Sequence, residues 1–144
     1  MFIDATMSTQ QNVVGLINLA NGTDVAVSKI EVVDPVTIVP VEPSINNTEA
    51  TVKARKGQGF SGQMKMRYRR PDITEVSLMP VRGFDVFRGM TPALLAPIAE
   101  ASLGVPPGNV VVLPFSNLAP TVTIKARDDS LLIVGESIFE LTWH

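Results

Sequence analysis

Cysteine is absent from these 144 residues, and histidine occurs once, as the last of them. The first absence excludes a disulfide framework and thiolate chemistry. The second leaves any metal site to carboxylates and carbonyls, because a terminal His144 has no scaffold to orient it. Aromatic residues make up only 6%, too few for an obvious sugar-binding platform. Charged residues make up only 18%, against about 25% in average globular chains. Such a deficit leaves neutral or apolar surface, as a chain that packs against partners presents. A chain merely rich in Val, Ile and Thr gives the same figure. No apolar run approaches the roughly 18 residues that cross a bilayer. Met1-Phe2-Ile3-Asp4 lacks the basic start of a secretory signal. The expectation is a soluble chain made in the cytoplasm, with no membrane partner. A net charge of −2 predicts no general affinity for nucleic acid.

What the sequence does contain is an echo of itself. Thr51-Val52-Lys53-Ala54-Arg55 returns as Thr123-Ile124-Lys125-Ala126-Arg127. A glycine (Gly62, Gly135) and an alternating apolar run follow each copy. A helix-like stretch ending in glycine precedes each, Thr9 to Gly22 and Thr91 to Gly104. One short helix and three short strands bury little alone, so two such modules sharing a core are the natural arrangement. The predicted fold is α+β: two tandem similar modules, residues 1–75 and 76–144. Each is a short helix followed by short antiparallel strands and a hairpin. Coincidence between two β-hairpins is the competing explanation.

Along the chain, Ser8 or Thr9 is the N-cap of a predicted helix over 9–20, stopped by Asn21-Gly22. Val25–Val27, Ile30–Val33 and Val36–Val41, broken by Pro35, Pro40 and Pro43, read as short edge strands or connectors. Residues 49–56 and 62–69 form the clearest hairpin, around Lys56-Gly57-Gln58-Gly59. Met64, Met66 and Tyr68 point one way, and Lys65, Arg67 and Arg69 the other. Residues 71–90 read as a join with short apolar pieces at 76–79 and 86–87. Thr91-Pro92 opens a second helix, with Leu94, Leu95, Ile98, Ala101 and Ser102 on its apolar face and Gly104 as its stop. Pro97 inside that helix costs about 3 kcal/mol. Val110–Leu113 is strand-like, and 121–127 pairs with 136–143 around Asp128-Asp129-Ser130. Phe139, Leu141 and Trp143 take the inward places of Met66, Tyr68 and Arg70.

Candidate chemistry fails group by group. Glu136 and Glu140 lie about 13 Å apart on one strand face, beyond the roughly 5–9.5 Å of a glycosidase pair. Ser61 and Ser130 have no histidine partner for a nucleophilic triad. Asp128-Asp129 suits a turn better than a Ca²⁺ site. Lys56-Gly57-Gln58-Gly59 lacks the strand and helix of a phosphate loop. The expectation is no enzyme, no cofactor, no metal and no small-molecule substrate. Residues 50–71 hold seven cations and no acid. Lys53, Arg55, Lys65, Arg67, Arg69 and Arg70 form the candidate protein interface, through arginines suited to carboxylates. A solvated strand face explains the same spacing. Tyr68, turned inward, cannot stack a base, so nucleic acid is not the expected partner.

Leu16-Ile17-Asn18-Leu19-Ala20-Asn21-Gly22, Thr51–Arg55 with Gly62 and Tyr68-Arg69-Arg70, Ile98-Ala99-Glu100-Ala101, Thr121–Ala126 and Ser130…Gly135 together resemble a family of virion structural proteins of large tailed bacteriophages. The likeness covers nearly the whole chain; Pro97 and the prolines at 35–43 depart from it. The resemblance implies a non-enzymatic subunit, localised to the virion and present in multiple copies. Its place would be a tail, baseplate or neck assembly, or the capsid surface as a decorating protein. Its partners would be other virion proteins or further copies in a ring or lattice, with Met1–Met7 as an arm. The alternative is a free-standing carbohydrate-recognition module.

Overall fold

Ser8 sets where the first helix begins. Its hydroxyl accepts from Gln11 N–H at 3.1 Å while Gln11 Oε1 accepts from Ser8 N–H at 2.9 Å, a closed capping box. Helix α1 (Thr9–Asn21) then runs to Gly22, whose left-handed backbone (φ 63°) ends it. The computed structural model describes residues 3–57, 62–77 and 80–144. The chain is α+β, with two helices and two sheets, and divides into two units at Arg70–Pro71.

The first unit carries α1 and the antiparallel strands β1 (Ile30–Thr37), β2 (Thr48–Ala54) and β3 (Gln63–Tyr68), in the order β1-β2-β3. A single 3-10 turn, Val27–Lys29, leads into β1. Val13, Val14, Leu16 and Ile17 of α1 are buried with Ile30, Val32, Ala50, Val52 and Tyr68 of the sheet. Fully burying a side chain of this size contributes roughly 1.5–3 kcal/mol. The pieces predicted at 30–33 and 36–41 are instead one strand, β1, ending at Thr37. Pro35 fits inside it because the pairing slips between Val33 and Val36, where Asp34 takes a positive φ of 54°. Val25–Val27 makes no strand.

The second unit contains residues 71–144, and residues 3–6 group with it. Its sheet has the order β4-β7-β6-β5, built from β4 (Gly83–Val86), β5 (Val110–Val112), β6 (Thr121–Ala126) and β7 (Glu136–Trp143). β4 runs parallel to β7, and the other pairs are antiparallel. Helix α2 (Pro92–Leu103) is capped by Thr91, whose hydroxyl accepts from Leu94 N–H at 3.2 Å, and stops at left-handed Gly104.

Three expectations are corrected here, while Pro97 lies inside the second helix as read. The join at 71–90 contains a strand, β4, although Leu78-Met79 within it lies outside the described residues. α2 buries Leu95, Ala99, Glu100 and Leu103, whereas Leu94 and Ile98 are exposed. Pro97 stays inside the helix on its exposed side, where the carbonyl it leaves unbonded is nearest solvent. The β6–β7 connection is no simple turn, because Leu131, Leu132 and Ile133 are buried.

Candidate interaction surface

The ladder phase of the first sheet decides which groups are available. Ala54 N–H donates to Gly62 C=O at 3.1 Å, so the backbone groups of Met64, Met66 and Tyr68 also point into the sheet. Those of Gln63, Lys65 and Arg67 therefore point outward, along an edge. On that edge Arg67 C=O accepts from the Asn21 side chain at 3.0 Å. Among the described residues nothing bonds the outward groups of Gln63 and Lys65.

The opposite edge is closed. Arg55 N–H donates to Lys29 C=O at 2.9 Å, which turns the backbone of Ile30 and Val32 outward. The Gln10 amide then takes both groups of Val32, donating to its C=O at 2.8 Å and accepting from its N–H at 2.9 Å. Arg55 Nε donates to Ile30 C=O at 2.8 Å. Asp34 and Pro35 bend the rest of β1 away from a regular ladder. A side-chain amide in place of a neighbouring strand and a proline bulge are means of blunting an edge. β1 has both; on β3 a side-chain amide reaches only Arg67 C=O, and there is no proline within the strand.

The six candidate cations separate. Lys53, Lys65 and Arg67 share the outer face of the sheet and are exposed. Their run of one sign exists only along the chain. Across strands, Lys53 stands opposite Glu31, and Glu49 reaches Arg67 at 3.0 Å and Lys65 at 4.0 Å. Glu49 lies one residue outside the stretch read as acid-free, so reading along the sequence missed it. Arg55 is half-buried and bonded to the carbonyls described above. Arg69 is half-buried and has its own partner.

Arg70 leaves the surface altogether. Only 3% exposed, it donates from Nε to Thr48 Oγ1 at 2.7 Å and from Nη2 to Thr37 Oγ1 at 3.0 Å. The Asn47 side chain brackets its backbone, accepting from its N–H and donating to its C=O, both at 2.8 Å. Burial lowers the guanidinium's affinity for its proton, and the phenolate form of Tyr68 would oppose that shift. The Tyr68 phenol is pushed up strongly by burial, with Arg70 pulling the other way. This buried cluster holds the end of β3 to the ends of β1 and β2.

The second unit has its own buried polar group. Glu100 Oε2 accepts from Gly108 N–H at 2.6 Å and Asn109 N–H at 2.9 Å. Asn109 Oδ1 accepts from the Ser130 hydroxyl at 2.8 Å. Ser130, considered above as a nucleophile, is thus a buried brace for the β6–β7 loop; Ser61 lies outside the described residues, as do Gln58-Gly59 of the first hairpin loop. Asp128 and Asp129 are exposed beside Lys125 (4.0 Å) and Arg127 (3.2 Å). His144 is oriented after all: β4 supplies Asp85 Oδ1 at 3.1 Å from its Nε2, and its backbone N–H donates to Val86 C=O at 2.9 Å. Trp143 donates from its indole to Ala119 C=O at 2.7 Å. No group of three His, Asp or Glu able to hold a metal occurs among the described residues. No helix is long and apolar enough to cross a membrane there.

The outside of the molecule is more apolar than its polar clusters suggest. Val39, Val41, Ile45 and Met64 in the first unit are exposed, as are Phe87, Leu94 and Ile138 in the second. No curated protein and no solved structure matches this chain. A family model does, over residues 4–100, which takes in the whole first unit and the second as far as Glu100 of α2. With two thirds of its length so matched, the chain belongs to a family of unknown function, DUF7941.

Proposed function

We propose that this protein is a non-enzymatic structural subunit of a tailed-bacteriophage particle. It sits there in multiple copies, in a tail, baseplate or neck assembly or decorating the capsid, and works by binding its neighbours. The observation that carries the reading is the outer surface of the first sheet. One edge, β3, carries unbonded backbone groups, and Met64 on that strand and Val39, Val41 and Ile45 of the same unit are exposed. A surface of that composition is covered in use by other protein. The exposed cations Lys53, Lys65 and Arg67 would steer an approaching partner, at the modest strength of charges already facing Glu31 and Glu49.

We also read the chain as two similar modules in tandem, and several matched details support this. Asn18 stands four residues before the stop Gly22, and Glu100 four before Gly104. Asn18 Oδ1 accepts from Val25 N–H at 3.1 Å, much as Glu100 accepts from Gly108 and Asn109. Ala54 N–H to Gly62 C=O has its counterpart in Ala126 N–H to Gly135 C=O. Arg55 N–H to Lys29 C=O is matched by Arg127 N–H to Asn109 C=O. The sheet orders β1-β2-β3 and β5-β6-β7 agree. β4 has no counterpart among the described residues of the first unit. Repeated modules suit a subunit whose affinity is built from many modest contacts.

Fractionation of purified particles tests the proposal against the sugar-binding alternative. The chain should cosediment with particles through repeated washing and pass unretained through a glycan column. A chain retained by glycans and missing from particles would sink the virion reading.

A further inference from the structure

The open β3 edge and the exposed loop after β1 fit each other in one register. We infer that Val39–Val41 of a second copy of this chain adds as a short parallel strand beside β3. This inference rests on the multi-copy reading above and names the contact.

The match is read from backbone polarity. A parallel neighbour bonds each outward residue of an edge through the two residues flanking its opposite number. With Pro40 opposite Lys65, Lys65 N–H donates to Val39 C=O and Lys65 C=O accepts from Val41 N–H. Gln63 C=O accepts from Val39 N–H. Pro40, which has no N–H, faces away from β3, where none is needed. Beyond Val41 the chain turns, since Val41 C=O accepts from Ser44 N–H at 2.9 Å, so the added strand ends before Arg67, whose C=O already accepts from Asn21 at 3.0 Å. Within its own copy, Ile38 N–H donates to Asn47 C=O at 2.8 Å, which leaves the backbone of Val39 turned outward.

Side chains agree in the same register. Val39 and Val41 come to the face of Met64 and Met66. Val39 is 85% exposed, Val41 69% and Met64 59%, so all three have area to lose. In the second unit the outer edge of β7 already has such a parallel neighbour, β4, which alternates Phe84, Asp85 and Val86 with the apolar pair buried. The direction is also right. β1 and β3 are both antiparallel to β2, so they run the same way. A second copy displaced sideways therefore presents its 39–41 segment parallel to β3. Such a contact joins two different surfaces, and repeated it closes a ring or extends a filament.

Two variants test the contact from opposite sides. Lys65→Pro removes the accepting edge's N–H at an outward position, where an edge strand tolerates proline. Val39→Asp with Val41→Asp alters only the exposed donor loop. In sedimentation velocity the parent chain should associate with rising concentration, and each variant should associate at least about tenfold more weakly, a loss of about 1.4 kcal/mol. Circular dichroism should show both variants folded. An equal mixture of the two should give one species of twice the monomer mass and nothing larger, since only one complementary pair of surfaces survives. A parent chain that stays monomeric overturns the inference. Undiminished association of the loop variant overturns it as well, while leaving the multi-copy reading to be decided by the composition of particles.

Discussion

Arg70 and Arg67 sit three residues apart and have opposite fates. Arg67 is an exposed cation facing Glu49, and such pairs contribute about 0.2–1 kcal/mol. Arg70 is a buried cation held by two threonine hydroxyls, and removing it leaves those groups and their cavity behind. Arg70→Ala should cost roughly 3 kcal/mol in denaturant unfolding, and Arg67→Ala about 0.5 kcal/mol. Equal effects would contradict the separation of the cationic strip. Tyr68, the only tyrosine, gives a second reading of the same cluster. Its folded pKa is raised by burial, so the folded state holds the phenol proton more tightly than the unfolded chain does. That contribution is complete below the ordinary tyrosine pKa of about 10 and is lost as pH rises above it. Stability should therefore fall above about pH 10, with phenolate absorbance appearing only as the chain unfolds. Early phenolate absorbance from the folded chain would show the ring exposed. The alternation of β3 already placed residue 70 in phase with Met64, Met66 and Tyr68, so Arg70's burial was legible. Glu49's role was not, because cross-strand neighbours are distant in sequence.

Elements were legible where their ends carry chemistry. Ser8 with Gln11 and Gly22, and Thr91-Pro92 with Gly104, fixed both helices. The shared Thr-x-Lys-Ala-Arg strands and their glycines placed both hairpins. α2's buried face was not legible, because Ala93, Leu94, Leu95, Ala96, Ile98, Ala99, Ala101 and Leu103 are spread around the whole helix and leave its periodicity without a phase. β4 escaped for a different reason. It is four residues long and pairs with a strand more than fifty residues away. Its position depends on Gly83, where an added Cβ would run into the backbone carbonyl of Glu140. Gly83→Ala should destabilise the second unit by about 1–3 kcal/mol as the two strands are forced apart. Thermal unfolding with β7 amide exchange would register it. Unchanged stability would mean that β4 does not lie against β7 as described.

At the scale of the whole molecule, buried polar groups brace the fold from within, and apolar side chains lie outside. The candidate interface read from sequence keeps three of its six cations on one exposed face. The open edge beside them was not foreseen as such, because ladder phase and the Gln10 clamp on β1 are tertiary facts. On the function proposed above, a subunit built this way acts by being repeated. The measurement that tests this most directly is the number of copies of the chain per purified particle, by quantitative mass spectrometry. A whole multiple of a ring's rotational order, or a number on the order of hundreds covering a capsid, is the predicted result. Particles that contain none of the chain would contradict it.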